Sequence, residues 1–153
     1  MKPIPSLLIT AGRGQLVSYL CHDGKTLEKI DTVRFEEGSE KLSDLVTDQA
    51  GAFPNSAGPG TASAERLPLL EELENRCIRR IAATIKEHLV RIRPGIWGFA
   101  APQAINRAVL DELGPEPLNT LAVNLQLNIT NAAPREILKH FTHARQTEQP
   151  SAI

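Results

Sequence analysis

Asp44 and Asp48 stand four residues apart in Ser43-Asp44-Leu45-Val46-Thr47-Asp48-Gln49-Ala50-Gly51. Two carboxylates at that spacing share a helical turn or flank a bend, where they could hold a divalent ion or divide acid–base work. No third carboxylate stands near, and Glu36, Glu37 and Glu40 upstream read as a solvated face. Caps of turns and helix ends are therefore the favoured role. His140 and His143, three apart, could present two imidazoles to a metal, but no E-x-x-H or C-x-x-C accompanies them. They read as an exposed helix end, and His22 and His88 read as isolated. Gly12-Arg13-Gly14 follows a strand as a phosphate-binding turn would, but lacks the third glycine and the helix that a dinucleotide site needs. It reads as a glycine-permitted turn. No G-x-S-x-G, H-E-x-x-H or G-x-x-x-x-G-K-[ST] occurs. These residues assign no catalytic group, no metal and no cofactor. Arg66, Arg76, Arg79, Arg80, Lys86, Arg91 and Arg93 make one segment locally basic, with Arg76, Arg80 and Lys86 placed opposite its apolar stripe. Such a face could meet RNA phosphates, although a solvated helix face with internal ion pairs is the commoner outcome.

The elements that must position these groups follow from composition and period. The chain has 153 residues, 41% apolar and 23% charged, with net charge −1. That is one domain's worth, able to bury a core without disulfides, and it shows no global basic excess for nucleic acid. Cys21 and Cys77 are far apart and read as small apolar residues in a reducing compartment. The first ten residues lack the apolar core of a signal peptide, and no run approaches the ~18–20 apolar residues of a membrane span. The expectation is a cytoplasmic protein.

Leu7–Ala11 with Ser6, Gln15–Cys21 and Leu27–Phe35 read as three strands, the last two joined by the tight-turn pair Asp23-Gly24. Leu70, Leu73, Cys77, Ile81, Ile85, Leu89 and Ile92 recur at three and four, an amphipathic helix with Pro68 in its first turn and Pro94-Gly95 at its end. Ile96–Ala101 is nearly all apolar and reads as a central strand. Pro102 opens a helix to Leu113, Leu121–Leu127 alternates as a strand, and Thr130 or Asn131 caps a last helix with Pro134 in its first turn. The expected order is β-β-β-α-β-α-β-α: an α/β protein with one mixed sheet of about five strands, antiparallel in the first half, parallel in the second, flanked by helices. The expected layout is one domain over 1–142, a long loop over 43–64, and a flexible tail over 143–153. A structureless connection beyond roughly 12–15 residues is uncommon and usually functional or disordered.

Three segments together resemble one family. Ser43 to Gly51 resembles the acidic "S-D-L-x-S-D-x-x-G" loop of the bacterial host-attachment proteins. Phe99-Ala100-Ala101-Pro102-Gln103-Ala104-Ile105-Asn106-Arg107 resembles their "APP-x-x-L-x-x-L-R" turn. Leu127-Asn128-Ile129-Thr130 with Pro134-Arg135-Glu136-Ile137-Leu138 resembles their "K-D-L-T-x-x-P-x-x-x-L". The resemblance implies kinship with bacterial homologues of the archaeo-eukaryotic release factor, an RNase H-like layout like that factor's middle domain, and a ribosome or RNA partner. The chain departs from the pattern at Gln49 and Ala52, where arginine is common, and at Leu127-Asn128, where a lysine–aspartate pair is usual. It has no Gly-Gly-Gln, so release-factor hydrolysis lacks its key residues.

The resulting expectation is a non-enzymatic binding protein with a ribosomal, RNA or protein partner. Its site would combine Asp44, Asp48, Gln49 and Gly51 with Pro102, Gln103 and Arg107, because ligands bind where the ends of parallel strands converge. The alternatives are a metal-dependent hydrolase or nuclease using Asp44 and Asp48, and a structural dimer pairing through an edge strand at Leu121–Leu127.

Overall fold

The computed structural model describes residues 3–36 and 59–147. Strands β1 (Leu7–Ala11), β2 (Gln15–His22) and β3 (Thr26–Arg34) come first. Helix α1 (Pro59–Ile92) follows, then β4 (Trp97–Ala100), α2 (Gln103–Leu113), the short α3 (Pro115–Asn119), β5 (Leu121–Leu125) and α4 (Pro134–Thr147). The five strands form one mixed sheet of order β3-β2-β1-β4-β5. β1 pairs antiparallel with β2 and parallel with β4, β2 is antiparallel to β3, and β5 is parallel to β4. This is the mixed α/β sheet that the periodicities predict, with a strand order consistent with the RNase H-like layout.

β1 is buried along its whole length, so both its faces must be covered. Leu7, Ile9 and Ala11 face a core shared with Cys77, Ile81 and Ile85 of α1 and Ile105, Val109 and Leu113 of α2. Leu8 faces a second, smaller core with Val17, Tyr19, Val123, and Ile137 and Phe141 of α4. The apolar run of β4 does mark an interior strand: Trp97 and Phe99 are fully buried, and the Trp97 indole Nε1 donates to the Pro117 carbonyl of α3 at 2.9 Å. The pair Asp23-Gly24 turns with φ of 57° and 68°, the left-handed pair a two-residue hairpin requires, closed by Lys25 N–H to His22 O at 3.0 Å.

Four expectations need correction. Helix α1 starts at Pro59, so Pro68 lies inside it and residues 59–64 are helical rather than loop. The N-terminal-proline rule misleads because Pro68 stands in the helix interior, where its missing N–H costs one backbone bond without ending the helix. Helix α4 runs through Thr147, past residue 142, because Arg145 Nε donates to Pro3 O at 2.9 Å and Nη1 to Ala122 O at 3.4 Å. Thr130 and Asn131 do not cap α4; the Thr130 hydroxyl donates to Asn128 Oδ1 at 3.0 Å and Asn131 Oδ1 accepts from Gln15 Nε2 at 3.0 Å. Finally, α3 was not expected, since Gly114-Pro115 reads equally as a stop and as the opening of a new turn.

The second core closes tightly over Gly98. A Cβ there would lie 2.8 Å from Leu8 Cδ2 and 3.0 Å from Phe141 Cε1. Gly98→Ala is expected to cost about 1–3 kcal/mol by overpacking, read as a lower urea midpoint at unchanged slope.

Candidate functional site

The C-terminal ends of β1, β4 and β5 lie at one edge of the sheet, and three connections start there. Gly12 N–H donates to Gln15 O at 2.8 Å in the first, and Phe35 N–H ties the end of β3 to Gly14 O at 2.9 Å. At the second, α2 begins directly after Pro102, with Ile105 and Asn106 N–H donating to Pro102 O at 3.0 and 2.9 Å. The buried Asn106 amide fixes this junction: its Nδ2 donates to Asn124 Oδ1 at 2.9 Å and Leu125 O at 3.0 Å, while Asn124 Nδ2 returns a bond to Asn106 Oδ1 at 2.9 Å. The third is the 126–133 connection, held to β2 through Asn131 and Gln15. Helix α1 reaches the same edge, where Arg13 pairs with Glu74 at 2.6 Å and the Cys77 thiol donates to Arg13 O at 2.8 Å.

The structure places Pro102 and Gln103 at this edge, and Arg107 one turn further along α2, its guanidinium well exposed and paired with Asp111 at 3.1 Å. Asp44, Asp48, Gln49 and Gly51 lie outside the described residues. Among the described residues no three histidine, cysteine, aspartate or glutamate side chains gather to hold a metal. The expected basic face of α1 is divided: Arg76 pairs with Glu72 at 2.7 Å, Arg80 stacks 5.4 Å from the Phe35 ring centre, and Lys86 lies by an apolar cavity of about 600 Å³ at the opposite sheet end. His140 and His143 are exposed on α4.

His88 is not isolated. It is fully buried on α1, with Nδ1 3.2 Å from Ser18 Oγ on β2 and Nε2 3.0 Å from Asp31 Oδ2 on β3. A carboxylate can only accept, so Nε2 carries the proton, and in the neutral ring Nδ1 accepts from the Ser18 hydroxyl. The residue types are those of a Ser-His-Asp triad, but the ring nitrogens are exchanged relative to it, and Ser18 has no exposed surface for a substrate to reach. The set works as a polar latch between helix and sheet. A β-bulge makes it possible: the register shifts at Ser18/Tyr19, so Ser18 faces Asp31 while Tyr19 faces Lys29, and Ile30 is the extra residue. Without it the period of two would turn Asp31 to the other face.

The same bulge gathers a polar groove on the α4 side. Gln15, Val17 and Tyr19 on β2 stand opposite Arg34, Thr32 and Lys29 on β3, and with Thr130, Asn131 and Pro134 they line a cavity of about 750 Å³. Sequence reading passed over Lys29 and Arg34. The available signal was the broken alternation in Lys29-Ile30-Asp31-Thr32, where apolar and polar positions fall out of step.

A family model described as "Protein required for attachment to host cells" matches residues 13–141. The fold is a mixed α/β sheet flanked by helices, and the chain belongs to the host-attachment family. No curated protein matches it. No helix among the described residues is long and apolar enough to cross a membrane.

The hydrogen bond from His88, with weaker help from Arg91 at 3.6 Å, holds the Asp31 carboxyl below its ordinary range against the opposing effect of burial. A depressed carboxyl stabilises the fold fully above its unfolded pKa and loses that contribution as pH falls through the folded one. Asp31→Asn is therefore expected to flatten the acid limb of stability against pH, measured as urea midpoints between about pH 2 and 6, starting near the unfolded value of about 3.9. His88→Ala strips partners from Ser18 and Asp31 and leaves a cavity, and is expected to cost about 3 kcal/mol in the same assay at neutral pH.

Proposed function

We propose that the protein is a non-enzymatic binding protein that engages RNA, in the ribosome or free, through the strand-end edge. The observation that supports this most is the gathering at one edge of three features: the family-matching junction Pro102-Gln103, the arginine-bearing first turns of α2, and the end of β3. From that last point the chain leaves towards the acidic 43–51 segment. Arg34 closes β3 there and Arg107 stands exposed on α2, two guanidinium groups of the kind that bind phosphate oxygens in pairs. The Arg107–Asp111 pair is solvent-exposed and weak, so a phosphate can displace the carboxylate.

Kinship with bacterial release-factor homologues and a cytoplasmic location belong to the same proposal, as the setting in which ribosomes would be met. The family's description names a phenotype, attachment to host cells, and on this reading that phenotype is indirect.

The test is co-sedimentation of the full chain with ribosomes at low and high salt. Association at low salt that disappears at high salt is expected, with the double substitution Arg34→Ala, Arg107→Ala weakening it and flattening its salt dependence. No association at low salt would dismiss the proposal, as would association indifferent to both salt and the two arginines.

A further inference from the structure

The groove between β2, β3 and the start of α4 shares Arg34 with the strand-end edge, but its Lys29 and Tyr19 are explained by neither that edge nor the latch. Lys29 and Arg34 stand exposed on its β3 wall, and among the described residues neither has a carboxylate partner. The walls otherwise offer amide and hydroxyl groups from Gln15, Thr32 and Asn131, and no acidic side chain lines the cavity.

Tyr19 adds a second, independent observation. Only 2% of its surface is exposed, its ring belongs to the second core, and it lines the groove. Its hydroxyl has no hydrogen-bond partner among the described residues, and it is not sealed, since no fully enclosed side-chain polar atom lacks a partner. A buried phenol normally finds a partner, because leaving its donor unmade costs free energy. Because Tyr19 lines the groove, a molecule bound there can supply that partner.

We propose that this groove binds the phosphate group of a nucleotide-sized ester, with Lys29 and Arg34 neutralising its charge and the Tyr19 hydroxyl donating a hydrogen bond to a phosphate oxygen. The volume of about 750 Å³ lies in the range of small-ligand sites and far exceeds a bare ion. Burial pushes the Tyr19 phenol above its ordinary value, so it remains a donor across the physiological range. The Gln15–Asn131 bond at 3.0 Å ties the 126–133 connection to β2 across one end of the groove. This goes beyond the strand-end reading: the groove can be filled whether or not the protein meets a ribosome.

The experiment is calorimetric titration of the full chain at low salt with inorganic diphosphate, ADP and a short oligouridylate, against sodium sulfate. Saturable binding of diphosphate or ADP is expected, about tenfold weaker in Tyr19→Phe, which keeps the ring in the core and removes only the donor. Lys29→Gln with Arg34→Gln is expected to abolish it while leaving the far-ultraviolet circular dichroism and urea midpoint near those of the parent. Competition by oligouridylate identifies the phosphate as part of a strand; its absence identifies a free nucleotide. Sulfate binding as tight as ADP, no binding of any phosphate, or Tyr19→Phe binding as tightly as the parent would each overturn the proposal. Loss of ribosome association with diphosphate binding intact removes only the strand-end reading.

Discussion

The total burial of β1 constrains everything else in this protein. Leu7 to Ala11 leave no surface to water, and the strand is flanked on both edges by neighbours. A strand of that kind needs an apolar layer above and below it. The long helix α1 and the helix α2 supply one layer, and α4 supplies the other. The layers are unequal. Two helices cover one face from β3 to β4, whereas one helix covers part of the other. The outer strand β3 and its neighbour β2 therefore keep an open, polar strip beside α4, and that strip is the groove. The site is a by-product of covering a two-faced strand with three helices.

One extra residue in β3 then assigns the side chains. Beyond Ile30 the alternation restarts in the opposite phase, so Asp31 turns to the helix side and Lys29, Thr32 and Arg34 share the groove side. A buried histidine would be costly beneath α1 without partners, and the bulge provides one of them. The latch and the groove are thus two results of a single irregularity. Its position, beside Lys29 and Arg34, which have no carboxylate partner among the described residues, matches the general tendency of bulges to lie beside functional sites.

The five strands, the antiparallel and parallel halves, the interior place of β4 and the apolar stripe of α1 were all legible in the sequence, because each rests on a local period or a single turn signal. The Asp23-Gly24 hairpin was legible for the same reason. The latch was not: Ser18, Asp31 and His88 are joined across separations of 70 and 57 residues, and no local pattern marks any of them. The start of α1 was misplaced because Pro68 satisfies a rule for first turns while standing tenth in the helix in fact. Of the residues expected at the site, Pro102, Gln103 and Arg107 fall on or near the strand-end edge, and the acidic segment lies outside the described residues. Lys29, Arg34 and Tyr19 could not be grouped from sequence, since doing so requires knowing where the register slips.

The late position of α4 in the chain bears on how the protein is made. Every strand of the sheet precedes it, so a nascent chain that has reached Asn131 holds all the residues its sheet ladder needs. Leu8, Val17, Ala100 and Val123 nevertheless wait for Ile137 and Phe141 before they are shielded from water. Pro3, ahead of β1, finds Arg145 only once α4 has emerged. Domains fold as units during synthesis, and exposed apolar sheet faces are the surfaces that aggregate in the interval. For this chain the vulnerable interval ends when the ribosome delivers its last described helix.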